Sequence, residues 1–416
     1  MKIAIIGSGI SGLTSAYLLQ KEHDVTVFES AKRIGGHTAT VEVPEAGSVR
    51  AIDTGFIVFN DWTYPNFIRL MDELGVKSKA TEMSFSVSCQ RTGLEYGGNN
   101  LNTLFAQRRN LLNVSFIGML KDILRFNKEA IQDLESGELK EGVTLGEYLK
   151  EKGYGSRFAS HYLIPMGSAI WSSTLDEMME FPLVFFVRFF KNHGLLSVND
   201  RPQWRVIEGG SSAYLSPLVA KFKDRIQLGA DIAKVHRLDS EVLIDFADGS
   251  QQTFDQVVFA CHSDEALALL ANPSAEEHAI LSAIPYRNND VVLHTDTRLL
   301  PKKQLAWSSW NYHLGEDRTK PATLSYNMNI LQHFDSETTY VVTLNQTDMI
   351  AEDKIVGRFQ YAHPTFTLDG IKAQDRWAEI NGVNKTWFCG AYWRNGFHED
   401  GCWSGVRVAN GLGVSW

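Results

Sequence analysis

Lys2-Ile-Ala-Ile-Ile6 runs directly into Gly7-Ser8-Gly9-Ile10-Ser11-Gly12, and this stretch decides the fold. An apolar run that barely alternates suits a parallel strand buried on both faces. Each glycine after it has a mechanical task. Gly7 makes the tight turn, Gly9 lets the backbone approach a pyrophosphate, and Gly12 lets helix and strand pack closely. Leu13 to Lys21 then reads as a helix, whose free N-terminal amides and positive dipole end face the phosphates. A second strand, Asp24 to Phe28, closes on Glu29, where a carboxylate binds both hydroxyls of a ribose. An acid at that point also repels a 2′-phosphate, which disfavours NADP.

The next segment separates FAD from NAD. Beyond Ser30 comes Arg33-Ile-Gly35-Gly36-His37-Thr38, and then Asp53-Thr-Gly55-Phe56. Two adjacent glycines allow the backbone to pass close beside a flat ring or a diphosphate. Gly55 offers a second close approach. The series GxGxxG, acid, RxGG resembles the flavin amine oxidase, protoporphyrinogen oxidase and phytoene desaturase superfamily. That resemblance implies non-covalently bound FAD. His37 stands where the superfamily often carries Arg, which leaves the phosphate contact there open.

The resemblance also implies an α/β fold in which a Rossmann-type FAD-binding domain is interleaved with an α+β substrate-binding domain. Residues 1–75, 205–265 and 376–416 are then assigned to the FAD-binding domain, and 76–204 and 266–375 to the substrate domain. Arg205 to Phe222 reads as a glycine turn entering an amphipathic helix, Arg225 to Val235 as a strand, and Asp255 to Ala260 as a strand returning to the nucleotide sheet. In the superfamily the residue placed like Ile232 lies against the adenine through its backbone. A strand ending at Gly390 precedes the terminal helix. His398, Glu399 and Asp400 stand where the superfamily's helix N-terminus meets the N1 and O2 edge of the flavin and stabilises its anionic reduced form. Three adjacent residues in one loop rarely converge on one ion, so no metal is expected there.

Within the substrate stretches, Asn110 to Glu129 shows apolar residues at helical spacing and follows Arg108 and Arg109. It reads as a packed amphipathic helix, with a membrane-surface helix as the alternative. Asp290 to Asp296 and Thr338 to Asn345 alternate as strands of a pocket floor. Phe181 to Phe190 (FPLVFFVRFF) is too short and too charged to span a bilayer. It reads as core, with an apolar entry for a lipid-like substrate as the alternative. Met166, Trp171 and Trp310 are candidates for the substrate wall. Tyr392 and Trp393 are candidates for the aromatic cage of an amine site.

The net charge of −9 over 416 residues argues against a nucleic-acid partner. The four cysteines, Cys89, Cys261, Cys389 and Cys402, are scattered without CxxC spacing, which suggests neither a disulfide framework nor zinc. A cytoplasmic enzyme is expected, without a leader, possessing at most peripheral contact with the inner membrane face.

Several passages resemble a narrower group, the bacterial FAD-binding oxidoreductases associated with fatty-acid-modifying methyltransferases. They are Asp53 to Asn60, Met83 to Val87, Phe105 to Asn110, Pro165 to Trp171, Asn192 to Leu196 through Arg201 to Trp204, Leu293 to Asp296 and Trp307 to Tyr312. This resemblance implies desaturation of an acyl chain, free or on a phospholipid, by hydride transfer to flavin N5. A flavin amine oxidase is the second reading, and a non-catalytic flavin-binding partner of a lipid methyltransferase the third. No second GxGxxG is present for NADPH, so reoxidation falls to oxygen, a quinone or another carrier. No general base can be named from the sequence.

Overall fold

The computed structural model describes residues 1–45, 47–171, 173–315 and 323–416. At its centre is a five-stranded sheet with the order Ile226–Leu228, Asp24–Glu29, Lys2–Ile6, Gln256–Phe259, Thr386–Phe388, every neighbouring pair parallel. Ile3, Ala4 and Ile5 are fully buried, as the unalternating apolar run requires. The sheet is thus assembled from three separate parts of the chain. Ile10–Leu19 covers one of its faces and packs along the terminal helix His398–Gly411. Those two helices approach closely because Gly401 and Gly405 face Ile10 and Ser11. A Cβ on Gly401 would come within 2.6 Å of the Ile10 side chain, and one on Gly405 within 2.5 Å of the Ser11 carbonyl oxygen.

Arg225 to Val235, expected as a single strand, is two. Ile226–Leu228 joins the parallel sheet, Gly229 turns the chain at φ +67°, and Ile232–Arg237 opens a separate three-stranded antiparallel sheet. The helix expected within Arg205 to Phe222 is likewise reduced. Trp204–Ile207 is a strand, and only Ser211–Tyr214 and Leu215–Val219 are helical.

A seven-stranded mixed sheet forms the second layer, in the order Ile355–Pro364, Tyr286–His294, Val341–Leu344, Leu324–Asn327, Trp310–Leu314, Phe85–Cys89, Glu95–Gly97. Its one parallel pairing is Trp310–Leu314 with Phe85–Cys89. The helices Val114–Ser136, Ile164–Trp171 and Leu183–Asn192 build an aromatic second core beside it. The domain boundary read at residue 265 does not coincide with a change of core. Ala266, Leu270, Ile280 and Leu281, from helices just beyond it, pack with the parallel sheet.

Candidate functional site

Three glycine-bearing loops meet at the carboxyl ends of the central strands. Gly7, at φ +109°, lies so close to Ala260 that a Cβ would fall 2.8 Å from its carbonyl. Gly12 faces the Gly7 oxygen, where a Cβ would come within 2.1 Å. Gly9 differs, since a Cβ there would meet nothing within 4 Å. The loop is therefore packed against protein at its first and third glycines and open at the middle one, the geometry of a phosphate cradle. The second loop docks onto it: Gly35 N–H donates to the Ser8 carbonyl at 2.9 Å, and the exposed Gly36 stands against Gly9. Gly55 completes the set, its α-carbon face pressed on the His37 carbonyl, which accepts the Phe56 N–H at 2.8 Å.

Glu29 ends its strand beside this cradle. Its carboxylate accepts the Ser8 hydroxyl at 2.5 Å, the Ser8 N–H at 3.0 Å and the Ala31 N–H at 2.9 Å, with Ser30 at 3.4 Å. Ala230 N–H donates to the Glu29 carbonyl at 2.9 Å, two residues before Ile232. Arg33 folds back on its own loop, donating to the carbonyls of Ile34, Gly36 and Thr38. It braces the double-glycine turn rather than reaching outward.

His37 is the point at which this site departs from the superfamily pattern. Burial, with His363 and His262 close by, pushes its imidazole down to about 3, so it is neutral. Its ring stacks near His363 at 5.4 Å and Tyr361 at 5.2 Å, and its Nε2 has no hydrogen-bond partner. A neutral ring replaces the cation that an arginine would bring to a phosphate.

At the other end of the site, the side chains of His398, Glu399 and Asp400 diverge. His398 bonds to the Tyr214 hydroxyl at 2.8 Å, and that hydroxyl bonds to Thr38 Oγ1 at 2.6 Å. Glu399 accepts the Asn66 and Phe67 N–H groups at 3.2 and 2.9 Å, capping the helix Pro65–Leu74. Asp400 accepts the Phe397 N–H at 2.9 Å. All three side chains serve the scaffold, and the first-turn amides of the terminal helix are what remains for a ligand. Gly390 is held by the Ser404 hydroxyl at 3.0 Å. The open space at Gly9 and the carboxylate of Glu29 fit the diphosphate and ribose of FAD. Asp53, missed as a site residue by sequence reasoning, ties the segments together. It accepts Thr40 Oγ1 at 2.6 Å, the Ser211 N–H at 2.8 Å and Gln332 Nε2 at 3.0 Å, and burial raises its carboxyl to about 6.

The substrate-wall candidates separate into two groups. Trp171, with Met166 beside it, belongs to the second core, stacked on Phe181 at 4.5 Å and close to Phe189 at 4.8 Å. Trp310 bridges that core and a third cluster. Phe181, Phe186, Phe189 and Phe190 are buried core, and only Phe185 keeps partial exposure, so the phenylalanine run is mainly a packing element. Tyr392 and Trp393 pack instead in the first core. Their ring centroids are 5.2 Å apart, whereas a ligand held between two rings needs roughly 7 Å, twice a carbon contact. No cage opens between them. Lys302 and Lys303 are exposed, with their backbone N–H groups on Glu95.

Sequence reasoning also missed His193. Its ring stacks on Phe189 at 3.9 Å and lies 5.6 Å from Phe397, the residue preceding the terminal helix. Nδ1 faces the Phe189 carbonyl at 2.9 Å. A carbonyl only accepts, so Nδ1 carries the proton and Nε2 the free lone pair. Burial pulls the group down to about 4. It stands within Asn192 to Leu196, a passage of the narrower resemblance, but a lone histidine after a phenylalanine-rich segment offers no spacing that would give it a role.

The profile of the family described as flavin containing amine oxidoreductase matches residues 10–348. The chain belongs to that family, a family of flavin-dependent oxidoreductases. Amine oxidase [flavin-containing] A of Canis lupus familiaris is 25% identical over 256 residues, covering 58% of this chain and 46% of that protein, so the match spans about half the relative's length. Among solved structures, a triple mutant of putrescine oxidase superposes with a TM-score of 0.70 at 16% identity, over 99% of this chain and 98% of that one. A CLA-producing fatty acid isomerase from P. acnes gives 0.69 at 17%, over 98% of both. Cyclohexylamine oxidase from Brevibacterium oxydans gives 0.67 at 14%, over 99% of both. These similarities establish the amine-oxidase-like fold.

Proposed function

We propose that this chain is an FAD-dependent dehydrogenase of an acyl chain, free or carried on a phospholipid. The observation that carries the reading is a continuous wall of packed aromatic rings from the second core to the terminal helix. Trp171 lies 4.8 Å from Phe189, and Phe189 stacks on Phe397 at 5.1 Å and 22°. Phe397 directly precedes the helix whose first turn is the candidate flavin contact. Phe185, stacked on Phe366 at 5.3 Å, belongs to the same wall and keeps part of its side chain exposed. An apolar chain is the substrate class that suits a site bordered by such a wall. The fold's occurrence in a fatty acid isomerase supports the reading, and the narrower resemblance to oxidoreductases associated with fatty-acid-modifying methyltransferases points the same way.

Bound FAD supplies the acceptor for the hydride that leaves one carbon of the chain. The proton leaving the neighbouring carbon needs a base, and His193 Nε2 is the neutral lone pair placed beside Phe397 to take it. Anaerobic incubation of the FAD-loaded protein with monounsaturated or methyl-branched phospholipids should bleach the flavin and remove two hydrogens from an acyl chain. His193→Asn should slow the bleaching while leaving flavin retention unchanged. Bleaching by primary amines or polyamines alone would transfer the case to amine oxidation. Flavin that no lipid or amine reduces would leave a binding partner of a lipid methyltransferase.

A further inference from the structure

Large apolar side chains scattered singly over a surface need no explanation, but a cluster of them does. Along Leu101 to Val114, four aliphatic residues are turned to solvent: Leu112 is 91% exposed, Val114 86%, Leu101 74% and Leu111 53%. Leu305, in a turn packed against the helix Leu101–Leu104, adds a fifth at 40%. None of them belongs to the three hydrophobic cores.

Basic residues stand among these side chains. Arg108 and Arg109 are exposed between Leu101 and Leu111, and Lys302 and Lys303 are exposed beside Leu305. Arg108 donates to Asn102 and to the Phe105 carbonyl, and Arg109 to the Gly93 carbonyl. Among the described residues no carboxylate pairs with either guanidinium. Arg157 reaches Asn113 at 3.5 Å, adding a positive charge at the far border. A chain of net charge −9 has therefore gathered five cations around its most exposed aliphatic cluster. Beneath the cluster, Phe105 lies 5.8 Å from Phe116, and Phe116 lies 5.7 Å from Tyr96, both buried in the core that contains Trp171. The segment that carries the exposed leucines thus adjoins the second core through Phe105. No helix among the described residues is long and apolar enough to cross a membrane.

We propose that the face formed by Leu101, Leu111, Leu112, Val114, Arg108 and Arg109 docks on an anionic lipid bilayer. The aliphatic side chains enter the boundary between headgroups and acyl chains, and the arginines and lysines lie against the lipid phosphates. This docking does not depend on the acyl-chain reading, because it is measured without turnover.

The test is sedimentation of the FAD-loaded protein with sucrose-filled vesicles. One set is phosphatidylcholine alone and the other contains phosphatidylglycerol. The protein should pellet with the phosphatidylglycerol vesicles and be released by high salt. Arg108→Glu combined with Arg109→Glu should weaken the partition by about tenfold or more, as expected for cations that each contribute to a negative surface. Leu111→Ser combined with Leu112→Ser should weaken it similarly, and both pairs should retain the flavin spectrum and melting temperature of the parent. A protein that stays in solution with the anionic vesicles would overturn the proposal, as would pelleting indifferent to both pairs. Absence of pelleting, together with a mass that doubles with concentration and is lost in the leucine variant, would assign the face to a second copy of the chain.

Discussion

The imidazole of His398 lies flat on the phenyl ring of Phe56, with centroids 3.7 Å apart and planes within 5°. One ring comes from the first residue of the terminal helix and the other from the loop after Gly55. The far edge of the imidazole is bonded to Tyr214, from a third part of the chain. This stack locks together the same three stretches that supply the central sheet. Burial holds His398 far below its ordinary range, so the ring stacks as a neutral aromatic.

Replacing Tyr214 with Phe should therefore be costly although the ring volume is kept. His398 Nε2 and Thr38 Oγ1 would both lose their partner in a buried site. An unsatisfied buried group costs about 1–3 kcal/mol. Urea titration should show the midpoint falling with an unchanged slope, and a loss well under 1 kcal/mol would mean that the network contributes little.

The glycines of the first loop should separate stability from cofactor binding. Gly9 has φ −68° and ψ 179° with open space at its Cβ, so Gly9→Ala should fold as the parent does. The added methyl would then project into the cradle, and flavin affinity should fall about tenfold or more, each tenfold being 1.4 kcal/mol of binding. Gly12→Ala would press a methyl to within 2.1 Å of the Gly7 oxygen and should lower the melting temperature of the apoprotein itself. Equal effects of the two substitutions on melting would contradict the cradle geometry.

Glu29→Gln keeps the size of the side chain while removing its charge. A charged hydrogen bond contributes about 1.5–3 kcal/mol, so retention of FAD should weaken by about ten- to a hundredfold. Flavin fluorescence released on dilution measures it directly. Release indistinguishable from the parent would remove Glu29 from the ribose.

Acid should destabilise the protein through its buried imidazoles. His37 is held at about 3, and His363 and His193 at about 4, against 6.5 for an unperturbed histidine. Below pH 6.5 the unfolded chain binds these protons and the folded chain does not, so stability falls as the pH falls. Each such group removes up to about 1.4 kcal/mol per pH unit between 6.5 and its folded value. Denaturant midpoints at pH 7 and pH 5 should show the loss, and His37→Gln should flatten the slope. A midpoint that rises on acidification would reverse this assignment.

The strands Lys2–Ile6, Asp24–Glu29, Gln256–Phe259 and Thr386–Phe388 were legible because burial on both faces leaves an apolar run bounded by turn residues. The glycine cradle was legible for the same local reason. Arg225 to Val235 was not read as two strands, since only the left-handed turn at Gly229 divides a continuous β-like pattern. Ser78–Thr81 and Phe85–Cys89 were not read as strands, being short and rich in Ser and Thr, with partners Trp204–Ile207 and Trp310–Leu314 far along the chain. Tyr392 and Trp393 were read for a cage because neighbours in sequence cannot show how far apart their rings stand. His193 was invisible because its character derives from Phe189 and Phe397, and neither contact leaves a spacing.

The parallel sheet has a consequence for the order of events in the cell. Its outermost strand, Thr386–Phe388, pairs with Gln256–Phe259, which in turn pairs with Lys2–Ile6. During synthesis at roughly 5–20 residues per second, the first strand is complete long before its second neighbour exists, and the edge beside it stays unpaired. Pairings between such distant segments are slow to form. The nucleotide cradle is completed only when Ala260 reaches Gly7, and the helix beginning at His398 follows later still, so the flavin end of the site is assembled after the phosphate end.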